Sequence, residues 1–127
     1  MRMVQSIAAL NIPIDYQEYI SEYIQNISTI PFINKVVLFG SCAKGTVTKN
    51  SDIDIFILTN RGVSDDEETQ VVFHCLPKYS INTIPIDIIV QPESDFGNHV
   101  NSIGMVQHQV NKYGVDLSGL LHQRTRD

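Results

Sequence analysis

Apolar and polar residues recur along the chain with two different periods, and these periods predict the order of helices and strands. Between residues 15 and 28, apolar side chains return every three or four positions, which is the spacing of one helix face. Asp15 followed by Glu18 resembles a capping box, so we predict a helix over Asp15–Ser28. Its apolar face contains Tyr16, Tyr19, Ile20, Tyr23, Ile24 and Ile27.

Three short runs rich in apolar residues predict β-strands, because each is bounded by glycine, proline or polar residues. The runs are Val36–Phe39, Asp52–Leu58 and Ile84–Val90. Strands that alternate with helices favour an α/β or α+β domain. Since the strands are short, we predict a small mixed sheet flanked by helices.

Two further helices are predicted after the second strand. Ser64 and Glu67 form a capping-box pattern, and the helix that they begin should end before Pro77. A last helix is predicted over Asn98–Tyr113, followed by Gly114 as its C-terminal signal. Its predicted apolar face consists of Val100, Ile103, Val106, Val110 and Tyr113.

The length and composition suit a single domain over residues 1–127, because 43% of the 127 residues are apolar. We predict that the polar tail, residues 122–127, is flexible. The net charge of −5 argues against strong binding to nucleic acid. No apolar run approaches the roughly 20 residues of a membrane span. With no signal-peptide pattern and only Cys42 and Cys75, we expect a cytoplasmic protein with free thiols.

Asp52 and Asp54 are the only charged residues of the second predicted strand. Alternate strand residues share a face, so both carboxylates point the same way, with α-carbons roughly 6–7 Å apart. Two like charges this close repel unless a cation lies between them, and magnesium, which prefers carboxylate and phosphate oxygens, is the simplest candidate. An Asp-x-Asp pair also occurs in turns and at solvated strand ends, so the pair alone leaves both interpretations open. The opposite face, formed by Ile53, Ile55 and Ile57, should enter a core.

Asp87 is a single charge inside the otherwise apolar strand Ile84–Val90. An unpaired buried carboxylate is costly, so Asp87 needs a partner or must open onto a site. If this strand lies beside the strand of Asp52 and Asp54, all three acids converge. We therefore predict these three residues as metal ligands and catalytic groups.

The small-residue turn after the first strand is a candidate phosphate site. Gly40 permits close approach of a ligand to the backbone, and Ser41 and the following amides can bind phosphate oxygens. Lys44 would add a positive charge to the same phosphates. By itself a Gly-Ser pair is also an ordinary strand-to-helix turn, but this pair precedes Asp52 and lies between two apolar strands.

The combined pattern resembles the signature of the DNA-polymerase-β-like nucleotidyltransferase superfamily. The matching residues are Leu38-Phe39-Gly40-Ser41-Cys42-Ala43-Lys44-Gly45, then Ser51-Asp52-Ile53-Asp54-Ile55, and Asp87 on a later strand. Within the superfamily, the chain is most similar to the minimal nucleotidyltransferases, the small partners of HEPN-domain proteins. The resemblance covers about residues 34–90 and implies the nucleotidyltransferase fold. Lys44 departs from the pattern, because arginine is common at its position.

The resemblance implies that the protein is a transferase, which moves a nucleoside monophosphate to an acceptor hydroxyl and releases pyrophosphate. In the minimal group the transferred group is AMP, from ATP. Such a transfer depends on charge neutralisation and in-line positioning, which two Mg²⁺ ions, or Mn²⁺ in their place, would supply. Asp52 and Asp54 would bridge both ions, and Asp87 would hold only the ion on the acceptor side. The residues that would hold the β- and γ-phosphates are Gly40, Ser41 and Lys44.

The resemblance also implies a partner, a HEPN-domain toxin that would receive the AMP in a toxin–antitoxin system. A partner chain or a homo-oligomer would complete the acceptor side. Two alternatives stay open at this point. One is an antitoxin-type binding module, which neutralises a HEPN-like partner by contact alone. The other is a sugar transferase that uses Asp-x-Asp, although such folds need a larger nucleotide-binding domain.

Overall fold

The first long helix buries the apolar face that its periodicity predicts. In the computed structural model, which describes residues 1–78, 83–102 and 104–125, helix α1 spans Ile14–Ile27, and all six predicted apolar residues are buried. The capping box predicted at its start is wrong. The N-cap is Pro13, and Asp15 lies inside the first turn, where its carboxylate accepts a hydrogen bond from the Tyr16 amide at 3.0 Å. Asp15 still contributes there, because a negative charge is favourable near a helix N-terminus.

Within the described residues the sheet has five strands, and the three predicted strands form three neighbouring members of it. In chain order the strands are β1 (Arg2–Met3), β2 (Ile33–Phe39), β3 (Ile53–Thr59), β4 (Ile86–Pro92) and β5 (Val115–Asp116). Their spatial order is β1-β5-β2-β3-β4. β2 pairs antiparallel with β3 and β5, whereas β3 pairs parallel with β4, and β1 with β5. The sheet is therefore mixed, as predicted, and the fold is α+β. β1 and β5 have only two residues each, too few for a periodic signal.

The helix that follows β3 confirms its predicted capping box. Helix α2 (Ser41–Lys44) is the single turn after β2, and α3 (Asp65–Thr69) follows β3. The Ser64 side chain accepts from the Glu67 amide, and the Glu67 side chain accepts from the Ser64 amide. A π-helical turn continues α3 to His74, so this helical segment ends before Pro77, as predicted.

The long helix predicted over Asn98–Tyr113 is wrong, because one short helix ends just before Asn98 and another covers only the last eight residues of the predicted span. They are α4 (Glu93–Gly97) and α5 (Val106–Tyr113). Gly104, which lies between them, has a φ of 95°, and this value is not helical. Of the predicted apolar face, only Val110 is buried, Val100 is half-buried, Val106 and Tyr113 are exposed, and Ile103 lies outside the described residues. A 3-10 segment, Ser118–Thr125, ends the described chain, so residues 126 and 127 of the predicted flexible tail lie beyond it.

Both faces of the sheet are covered, but by different helices. The larger core lies between the sheet and α1 and contains Ile53, Ile55 and Ile57, as predicted. A smaller core on the other face contains Val37, Phe56, Leu58, Phe96 and Val110. Phe56 and Leu58 follow Asp54 on this second face, so α4 and α5 cover the far half of β3 and leave the Asp54 end less buried. In the described part of the chain, no helix is long and apolar enough to cross a membrane.

Candidate active site

The three predicted acids lie at the same end of the strands, where β2 ends and β3 and β4 begin. Asp54 and Asp87 are direct register partners on the parallel strands β3 and β4, so their side chains project from the same face. Asp52 precedes Asp54 by two positions and lies just outside β3. Asp52 and Asp87 are exposed, whereas Asp54 is half-buried. The structure therefore brings together the acids that the sequence places on two separate strands.

Gly40 lies directly against this acidic cluster. β2 ends at Phe39, which pairs with Asp54, and the next residue is Gly40, with φ of 72° and ψ of −152°. A Cβ atom at position 40 would overlap Oδ2 of Asp54. Glycine is therefore required for two independent reasons, its backbone conformation and the close approach of the Asp54 carboxylate.

The turn that follows Gly40 is a single helical turn, and its binding of phosphate stays a prediction. The Gly40 carbonyl accepts hydrogen bonds from the amides of Ala43 and Lys44 at 3.1 and 3.2 Å, which closes the single turn of α2. Ser41 is half-buried at the start of this turn. Amides of a first helical turn lack intrahelical partners, so those of Ser41 and Cys42 are available for an anion.

Lys44, the last residue of α2, is exposed and lies over an aromatic ring. Its Nζ lies 5.3 Å from the centroid of the Tyr113 ring at the end of α5, and its side chain is exposed. Lys112 makes a contact of the same length with the same ring. Among the described residues, the ion pairs are Lys35–Glu93 and Arg61–Glu67, so Lys44 forms no ion pair with the acids. A phosphate contact by Lys44 stays a prediction.

The acids are held together without a compensating positive charge in the described part of the chain. The pKa of Asp54 is raised by burial, by the charge of Asp87 and by the charge of Asp52, in that order. Burial, aided by the charge of Asp54, also raises the pKa of the neighbouring Cys42 thiol to about 11. Cys42 is thus a neutral packing residue, and a cation at the acids would relieve their mutual repulsion.

The donor set fits a hard divalent cation, although it is not a closed metal cage. Within residues 1–78, 83–102 and 104–125, no group of three or more His, Cys, Asp and Glu side chains is arranged to hold a metal ion. Magnesium is often bound by one or two carboxylates together with waters and substrate phosphates. The oxygens of Asp52, Asp54 and Asp87 match this chemistry, and the two ions stay a prediction.

One residue of α1, Tyr16, makes a hydrogen bond next to the acids that its helical spacing does not predict. Tyr16 is buried on the apolar face of α1, as predicted, but its hydroxyl donates a hydrogen bond to the Ser51 carbonyl at 2.6 Å. Ser51 immediately precedes Asp52. Tyr16 and Ser51 are 35 positions apart in the chain. Helical periodicity therefore predicts that the Tyr16 ring is buried but does not predict this bond.

The chain is similar to known proteins over the part that contains this site. The model of a family described as "Nucleotidyltransferase domain" matches residues 18–111. Two curated proteins of Methanocaldococcus jannaschii, each named a "putative protein adenylyltransferase", are also similar. One is 34% identical over 77 residues, covering 59% of this chain and 74% of that protein. The other is 38% identical over 69 residues, covering 54% of this chain and 64% of that protein.

A solved structure is similar at the level of the backbone. It is described as a crystal structure of a "putative nucleotidyltransferase" from Sulfolobus solfataricus, with a TM-score of 0.48 and 23% sequence identity. The match covers 64% of this chain and 70% of that one.

Proposed function

Because this chain belongs to the nucleotidyltransferase domain family, we propose that it transfers AMP from ATP to a hydroxyl group of an acceptor protein. The observation that carries the proposal is the register pairing of Asp54 with Asp87, beside Gly40 and two positions from Asp52. The names of the two curated relatives, which describe protein adenylyltransferases, support AMP as the transferred group and a protein as its acceptor.

Asp52, Asp54 and Asp87 would hold two Mg²⁺ ions, or Mn²⁺ in their place. When bound, such ions neutralise triphosphate charge and make an acceptor hydroxyl more acidic. In the transfer, a bond forms between the acceptor oxygen and the α-phosphorus, and the bond from that phosphorus to the oxygen bridging to the β-phosphorus breaks. Pyrophosphate leaves, and Asp87, the exposed acid on the edge strand β4, takes the hydroxyl proton.

The turn after β2 would bind the triphosphate beside the acids. Gly40 has no side chain, so phosphate oxygens can approach its backbone. A larger residue at this position would block that approach and would displace Asp54. The Ser41 hydroxyl and the first amides of α2 would donate hydrogen bonds to the β- and γ-phosphates. Lys44 would reach the same phosphates from its position on the Tyr113 ring.

The acceptor would approach from the side of β4, because this strand is the edge of the sheet and Asp87 is exposed on it. A HEPN-domain protein is the partner that we propose for this role. A partner chain, or a second copy of this chain, would supply the acceptor side of the site.

The test uses two forms of labelled ATP. The protein is incubated with Mg²⁺ and the product of the adjacent gene, with ³²P either at the α- or at the γ-phosphate. AMP transfer predicts label on protein from α-labelled ATP only. Label from the γ-phosphate alone would indicate a kinase and would refute the proposal.

A variant with Asp52→Asn and Asp54→Asn together separates catalysis from binding. The proposal predicts that this variant transfers no label and no longer neutralises a toxic partner. Neutralisation that survives the double substitution would instead support the alternative function, an antitoxin that acts by contact. Binding of the partner, measured by co-purification, is the control that the variant is folded.

A further inference from the structure

The turn that carries Asp52 is tied to two other elements behind the acidic cluster. The Tyr16 hydroxyl, on α1, donates to the Ser51 carbonyl at 2.6 Å and lies 3.4 Å from the Thr48 carbonyl oxygen. The Cys42 thiol, on α2, donates to the Asp52 carbonyl at 3.6 Å. Tyr16 and Cys42 are both buried, with 5% and 2% of their surface exposed. Buried donors thus hold the backbone on which Asp52 is mounted.

Asp52 needs such support because the sheet does not fix it. Asp54 is paired on both sides, with Phe39 of β2 and with Asp87 of β4. The pairing of β3 with β4 begins only at Ile53, one residue after Asp52. Asp54 is therefore held by the ladder, whereas the position of the exposed Asp52 depends on the turn before it.

That turn is closed by its own hydrogen bonds, so a contact from outside it places residues 48–51 together. The Ser51 amide donates to the Thr48 carbonyl at 3.0 Å, and the Thr48 amide donates to the Ser51 Oγ at 2.8 Å. These two bonds fix residues 48–51 relative to one another but not relative to the sheet. The Tyr16 hydroxyl joins this unit to α1, which packs on the sheet through the larger core.

We propose that Tyr16 is a positioning residue, whose hydroxyl sets the place of Asp52 relative to Asp54. This inference rests on the proposed function, in which both carboxylates bind the same metal–triphosphate. A shared ion requires ligands held to within about 0.5 Å, and the Tyr16 bond is the shorter of the two buried contacts that hold the backbone at Asp52. The aromatic ring fills the core, and only the hydroxyl acts on the site.

The chain offers a matched control for this hydroxyl on the same helix. Tyr23 is also buried, and its hydroxyl donates to the Val71 carbonyl at 2.9 Å. Val71 lies in the π-helical turn, which contains none of the candidate site residues. Tyr16→Phe and Tyr23→Phe therefore each remove one short hydroxyl-to-carbonyl hydrogen bond while keeping the ring, and Tyr16→Phe also removes the longer contact to Thr48. Only Tyr16→Phe acts beside the acids.

The experiment compares wild type with both variants in three measurements: hydrogen exchange of the Ser51 amide, binding of Mn²⁺–ATP by calorimetry, and AMP transfer. Tyr16→Phe should speed exchange of the Ser51 amide and weaken Mn²⁺–ATP binding by about fivefold, as expected for one lost hydrogen bond. Its transfer rate should fall by about tenfold or more, because small displacements of catalytic groups are costly. Tyr23→Phe should leave all three quantities at the wild-type level.

Two outcomes would overturn the inference. One is a Tyr16→Phe protein that matches Tyr23→Phe in both Ser51 exchange and Mn²⁺–ATP affinity. The other is faster Ser51 exchange with wild-type affinity and rate, which would make the bond a purely structural one. A wild-type protein that binds no Mn²⁺–ATP would refute the proposed function instead, and the Ser51 exchange would still decide whether Tyr16 holds the turn.

Discussion

Substitution of Gly40 by alanine tests the close contact between the phosphate turn and the acids. The backbone of Gly40, with φ of 72° and ψ of −152°, is in a region that costs residues other than glycine about 1–3 kcal/mol. The new Cβ would also overlap Oδ2 of Asp54, and such overpacking typically costs about 1–3 kcal/mol. We therefore expect Gly40→Ala to lower the free energy of unfolding by about 2–6 kcal/mol, the sum of the two costs. It should also abolish Mn²⁺–ATP binding, because the Asp54 carboxylate must move.

Gly45→Ala is the control, because Gly45 ends the same helical turn with the same φ of 72°. Its ψ of 23° is left-handed helical, where alanine costs about 1–2 kcal/mol. A Cβ there would lie 3.4 Å from the nearest atom, Nδ2 of Asn11, which is a flexible side chain. Gly45→Ala should therefore lose about 1 kcal/mol of stability and keep Mn²⁺–ATP binding.

The assay is urea unfolding followed by circular dichroism, with both substitutions also made in an Asp54→Ala background. Removing the carboxylate should restore the part of the Gly40→Ala loss that comes from overlap, about 1–3 kcal/mol, and should leave the Gly45→Ala loss unchanged. Equal losses for the two glycines, with no coupling between Gly40 and Asp54, would refute the argument from contact.

Three further substitutions test the acids and the turn separately. Burial and the charges of Asp87 and Asp52 raise the pKa of Asp54, so ionised Asp54 destabilises the metal-free protein. This cost builds as the pH rises from about 3.9, the usual aspartate value, through the raised pKa, and it is constant above that. Asp54→Asn should therefore be more stable than wild type in urea at pH 7 with EDTA, and a gain of equal size below pH 4 would contradict this cause. Asp87→Asn should abolish transfer but largely keep Mn²⁺–ATP affinity in calorimetry, and transfer at the wild-type rate would remove Asp87 from the site. Ser41→Ala should weaken ATP binding by about 1.5–3 kcal/mol with an unchanged melting temperature, whereas a lower melting temperature with unchanged affinity would make Ser41 a structural cap.

Local sequence determines those features whose cause lies within a few residues. The buried face of α1 follows from the 3.6-residue period, and the burial of Ile53, Ile55 and Ile57 opposite Asp54 follows from the two-residue period of a strand. The capping box at Ser64 is also local, because its donors and acceptors are three residues apart. The types of the candidate site residues can likewise be read from the sequence, since their chemistry does not depend on the fold.

Features that depend on distant partners were decided only by the tertiary structure. The pairing of Asp54 with Asp87 requires β4 to lie parallel beside β3, in one register of several that the apolar runs allow. The strands β1 and β5 exist only because they pair with each other and with β2. The start of the helix predicted over Asn98–Tyr113 is wrong for the same reason. Apolar spacing does not predict where the chain turns back over the sheet.

The bond between Tyr16 and Ser51 and the contact between Gly40 and Asp54 belong to this second class. Periodicity predicts which face of a helix or strand is apolar, because the direction of its side chains depends on the geometry of that element alone. It does not report which atoms of two elements meet, because that depends on how the whole core packs. The sequence therefore supplies the acids and the turn of the candidate site, and the pairing of β2 and β4 with β3 brings Gly40 against Asp54 and Asp87 into register beside it.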